Sequence, residues 1–128
     1  MVTETRNRAE EQAGAQLHSI QELVERLESR DGDIAAAAQT EILEDALSVQ
    51  IRTGWFSPGD VPEAAEYEIL LCTGGPAVRV VGDLGQHSEP DSASLQYQDW
   101  GTPWTPFYLT QAEESTLLAY ARVFYFGD

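Results

Sequence analysis

The sequence contains no lysine. Its seven cationic side chains, among 128 residues, are Arg6, Arg8, Arg26, Arg30, Arg52, Arg79 and Arg122. Against them stand 22 Asp and Glu, for a formal net charge of -15. A surface so anionic repels phosphate backbones and anionic membranes, and it attracts basic surfaces over a range that shrinks as salt shortens the screening length. Direct binding to nucleic acid or to a membrane is therefore not expected. Three accounts of the missing lysine stay open. GC-rich codon usage favours arginine and alanine, a saline habitat selects acidic surfaces, and a surface that must look anionic to a partner excludes scattered ammonium groups.

Cysteine is nearly absent as well. Cys72 stands alone, which excludes an internal disulfide, and it sits in an apolar run where a lone thiol behaves as a small hydrophobe. Apolar runs are far shorter than the roughly 20 residues that cross a bilayer, and no basic-plus-apolar leader opens the chain. The expected compartment is the cytoplasm. Histidine occurs twice, as His18 on an expected helix and His87 in an expected loop, and neither stands in a recognisable catalytic motif. A catalytic constellation is therefore sparse, and a non-enzymatic role is expected.

What is present suffices for a fold. With 42% apolar residues, one domain can bury a core despite its charge. Residues 1–8 are polar and expected to be a flexible start. From Ala9 to Arg30, Leu17, Ile20, Leu23, Val24 and Leu27 recur three and four apart, which predicts a helix with one apolar stripe. Asp31-Gly32-Asp33 should end it, with Gly32 at the C-terminal position and Asp33 accepting from the first amides of a second helix. That helix should run from about Ile34 to Ala46 and pack back as a hairpin.

The period then changes to two. Val49, Ile51, Thr53 and Trp55 alternate with Gln50, Arg52 and Gly54, predicting a strand with one wet face. Tyr67–Thr73 and Ala77–Gly82 flank Gly74-Gly75-Pro76 and should form an antiparallel hairpin, with Ala93–Gln98 as a fourth strand. Residues 100–109 carry two prolines and cannot be a central strand, so they are expected as an aromatic loop. Thr110-Gln111-Ala112-Glu113 matches a capping box ahead of a helix to residue 126. The expected fold class is α+β: a helical pair over 9–46, a four-stranded antiparallel meander over 47–99, and a C-terminal helix, as a single domain.

Two features are candidate sites. Residues 9–46 hold ten acids and two arginines. Glu11, Glu22, Glu25, Glu28, Asp31, Asp33, Glu41, Glu44 and Asp45 read either as a solvated face or as a row of carboxylates imitating phosphates before a basic partner. Asp60, Glu63, Glu66, Glu68, Asp83, Glu89, Asp91 and Asp99 would extend that surface if folding gathered them. Trp100 and Trp104 read either as core residues or as aromatic anchors for a basic partner. No cofactor is expected. Asp83, His87, Glu89 and Asp91 are the remaining metal possibility, but their spacing fits no ligand template.

The stretches Leu47–Trp55, Glu66–Leu84 and Leu95–Thr105, with the Thr-Gly-Gly-Pro-Ala-Val turn and the Asp-Trp-Gly-Thr-Pro-Trp run, resemble small acidic hypothetical proteins of phage and plasmid accessory regions. The resemblance carries over no site. It implies a setting in which small acidic proteins block host defence, as anti-CRISPR or anti-restriction inhibitors do. The leading expectation is thus a protein-binding inhibitor, a nucleic-acid mimic that blocks a defence complex, as monomer or homodimer. A regulatory interaction protein with codon-biased or salt-adapted acidity, and a small metal-dependent hydrolase, are the alternatives.

Overall fold

The computed structural model describes residues 2–74, 76–99 and 101–127. Two helices come first, α1 (Val2–Leu27) and α2 (Gly32–Asp45). Five strands follow, β1 (Ser48–Thr53), β2 (Ala64–Cys72), β3 (Ala77–Asp83), β4 (Ser94–Gln98) and β5 (Thr105–Phe107), and then α3 (Gln111–Ala121). The strands form one antiparallel sheet in the order of the chain, β1-β2-β3-β4-β5. The class is α+β, as the patterning predicts, with one strand more than expected.

The fifth strand comes from the aromatic segment. Pro106 lacks a ladder donor, which a sheet tolerates at an edge, and β5 pairs only with β4, through Leu95↔Phe107 and Tyr97↔Thr105. The helix α1 also begins earlier than expected, at Val2.

The turn between the helices differs too. Asp31, not Asp33, is the N-cap. Its side chain accepts from the amides of Asp33 and Ile34, and Gly32 opens α2 instead of closing α1. The backbone of Asp31 is extended, as an N-cap requires.

The core lies between the helices and one face of the sheet. Ala9, Ala13, Leu17, Ile20, Leu23 and Val24 of α1 are buried, and α1 lies against β3, β4 and β5 while touching both α2 and α3. Opposite them the strands contribute every second residue: Tyr67, Ile69 and Leu71 from β2, Val78 and Val80 from β3, and Leu95 and Tyr97 from β4. The period of two puts these on one face and Glu66, Glu68, Arg79 and Gln96 on the other. Antiparallel sheets commonly leave one face to solvent in this way.

At the far end of β3 the packing leaves no room for a side chain. A Cβ on Gly82 would lie 2.0 Å from the Ser92 carbonyl oxygen. That carbonyl accepts a hydrogen bond from the Tyr67 hydroxyl at 2.7 Å.

The first strand departs most from expectation. It pairs with β2 in register from Ser48↔Leu70 to Arg52↔Glu66, yet it is exposed on both faces. Val49 and Ile51 share the side of the sheet that carries Ile69 and Tyr67. The helix layer stops short of them, and Ile51 stays 50% exposed.

Candidate functional site

The helix layer presents the carboxylates. Helical geometry places Glu22 three turns from Glu11 and Glu25 nearly one turn further on, all within a narrow arc of α1. These three, with Glu28, Asp33, Glu41 and Glu44, are exposed, and the buried stripe of the same helices faces the opposite way. Glu22 lies 3.4 Å from His18. Glu11, Glu25, Glu28, Asp33 and Glu44 have no ion-pair partner among the described residues.

Three of the expected site carboxylates are engaged internally. Glu41 receives the Arg26 guanidinium at 2.5 Å across the helical pair. This hydrogen bond holds the carboxyl below the usual carboxylate range and raises the arginine in turn. Asp31 caps α2. Asp45 is half-buried and accepts from the Tyr120 hydroxyl at 2.7 Å, which ties α2 to α3.

The acids of the sheet do not extend this surface. Glu66 and Glu68 lie on the opposite, open face, and each meets an arginine: Arg52 bonds Glu66, and Arg79 bonds Glu68 at 2.6 Å. Glu89 stands 3.9 Å from Arg122. Asp83 and Asp91 meet through a backbone bond from the Asp91 amide to the Asp83 carbonyl. Among the described residues no group of three or more His, Cys, Asp or Glu side chains is arranged to hold a metal ion.

The open sheet face has its own polar centre, which no motif in the sequence announces. Arg79, half-buried, donates from Nη1 to Glu68 and from Nε to the Gln96 side-chain oxygen at 2.9 Å. Its guanidinium carbon lies 4.1 Å from the centroid of the Trp104 ring. Two anchors in the sheet and one stacked ring fix this planar cation, the geometry that suits arginine and not lysine. Around it Gln50, Arg52, Glu66 and Val81 line a shallow groove of about 470 Å³. The one signal in the sequence is an arginine set between Val78 and Val80, at the period that points it away from the core.

Trp104 is therefore neither in the core nor free: it is half-buried and covers Arg79. Trp100 lies outside the described residues. Among the described residues the exposed indole is Trp55, which alternation assigns to the first strand. It instead follows the end of β1 and is fully exposed, next to the half-exposed Phe56.

No protein family, curated protein or solved structure matches this chain. No helix among the described residues is long and apolar enough to cross a membrane.

Proposed function

We propose that the protein is a non-enzymatic, cytoplasmic inhibitor. The solvent face of its helical pair imitates nucleic acid and occupies the basic channel of a host defence complex of the CRISPR or restriction type. One observation carries this reading: carboxylates dominate the helix face while the arginines of the sheet are consumed internally. Arg52 and Arg79 are neutralised by Glu66 and Glu68 on the opposite face, so they do not cancel the field of Glu11, Glu22, Glu25 and Glu28. Carboxylates held on a rigid helix give a basic partner fixed acceptors, as a phosphate backbone does, without being a substrate for its chemistry.

The test is competition. Titrated into a purified defence nuclease bound to its nucleic acid, the protein should displace the nucleic acid, and the effect should fade as salt rises. Reversal of Glu22, Glu25 and Glu28 to Lys should weaken displacement by about tenfold or more, since rows of like charge across an interface cost several kcal/mol. Undiminished displacement by this triple variant, or none by the native protein at low salt, would remove the mimic reading.

A further inference from the structure

The two edges of the sheet are protected very differently. At one edge β5 is three residues long and carries Pro106, which breaks the row of backbone donors. At the other, β1 offers six residues with neither lysine nor proline, the usual devices that keep edges apart. Its one charge, Arg52, is held by Glu66. The side of β1 that continues the core face is apolar and uncovered, with Val49 and Ile51 exposed, and the exposed Leu47 and Trp55 lie just beyond the two ends of the strand. Exposed apolar surface continuous with an open edge marks an association site.

We infer that β1 pairs with β1 of a second copy, antiparallel about a two-fold axis at Ile51, to join the two sheets into one. Charge and register select this occupant. In a chain of net charge -15, residues 46–59 hold no acid, so the seam brings no carboxylates of the two copies face to face. With the axis at Ile51 the cross-strand pairs within the strand are compatible. Ile51 meets Ile51 of the other copy and Val49 meets Thr53, both on the apolar side. On the open side Gln50 meets Arg52, so the two guanidinium groups are not opposed. An isologous contact of this kind closes the assembly at two chains. Nothing in this pairing depends on the mimicry, because it uses the opposite end of the sheet from β5 and none of the helix carboxylates.

Salt separates the two. Binding to a basic partner weakens as ions screen it, whereas two copies that each carry -15 repel, so their pairing must strengthen with salt. Sedimentation equilibrium should show the 14.1 kDa chain doubling in mass as concentration rises toward about 1 mM, at lower concentration in about 0.5 M than in about 0.05 M NaCl. Ile51→Lys places two ammonium groups opposite each other at an exposed position. It should weaken pairing about tenfold or more with an unchanged circular dichroism spectrum. In a Cys72→Ser background, Ile51→Cys should form an interchain disulfide on mild oxidation, since directly opposed residues lie within disulfide reach. Gln50→Cys should do so far less. A monomer throughout this range overturns the inference, as does a dimer indifferent to Ile51→Lys. Preferential cross-linking through Gln50→Cys overturns the register.

Discussion

Two buried tyrosines set how the protein responds to alkali. Tyr67 and Tyr120 are almost wholly buried, and burial pushes both hydroxyls well above the ordinary tyrosine value. For Tyr120 the neighbouring Asp45 carboxylate, which accepts its hydrogen bond, adds to the effect. The folded state thus keeps two protons that the unfolded chain releases near pH 10. A group whose folded value is raised contributes stability that is present below the unfolded value and lost as pH climbs past it. Burial pushes the Cys72 thiol in the same direction. Because the chain has no lysine, no ammonium titration overlays this range. Denaturant unfolding measured between about pH 8.5 and 11.5 should therefore give a stability falling above about pH 10, by up to about 1.4 kcal/mol per pH unit for each tyrosine. Tyr120→Phe should remove about half of that slope. A stability that stays flat through this range would contradict the buried placement of both hydroxyls.

Among the elements, α3 shows what a local signal can specify. Thr110 Oγ1 accepts from the Glu113 amide and Glu113 Oε1 accepts from the Thr110 amide, so two donors at the helix start are satisfied by the pair the sequence displays. Thr110→Ala should cost about 1 kcal/mol in denaturant unfolding, and a loss within experimental error would mean that docking of Leu117, Tyr120 and Ala121 alone holds the helix. The β2–β3 hairpin is equally legible, because Gly74 adopts the positive φ of 102° that its turn chemistry implies. Other elements are not. Asp31 and Asp33 are chemically equivalent caps, and which one serves depends on where the chain turns. The spacing of Val49 and Ile51 announces a strand but not its place at the sheet edge, beyond the reach of the helix layer. Trp104 is legible as part of an aromatic segment but not as the cover of Arg79, a partner far back in the chain on β3. The helix carboxylates are visible as a row in the sequence itself. Their separation from Glu66 and Glu68 requires the parity of β2 relative to the core, which only the sheet supplies.

For the whole molecule the question is whether salt strengthens or weakens the fold. Added ions weaken the surface pairs, Arg26–Glu41, Arg52–Glu66 and Arg122–Glu89, and exposed pairs of this kind contribute little to stability. The same ions screen the mutual repulsion of a chain carrying -15, which acts among many exposed carboxylates beyond contact distance. The screening length falls from about 10 Å at 0.1 M to about 3 Å at 1 M. That removes long-range repulsion almost entirely while leaving contacts at hydrogen-bond distance partly intact, so more repulsion than attraction disappears. Melting temperature should therefore rise by several degrees between about 0.01 M and 1 M NaCl, where about 1 kcal/mol corresponds to a few degrees for a chain of this size. Replacing Glu11, Glu25, Glu28 and Glu44 with Gln should raise the melting temperature at low salt and flatten its salt dependence, because these carboxylates face solvent without ion-pair partners among the described residues. A melting temperature that falls with salt in the native protein would show that the ion pairs, including Arg79–Glu68 on the sheet face, outweigh the repulsion. It would also leave the helix carboxylates without the uncompensated field on which a basic partner would depend.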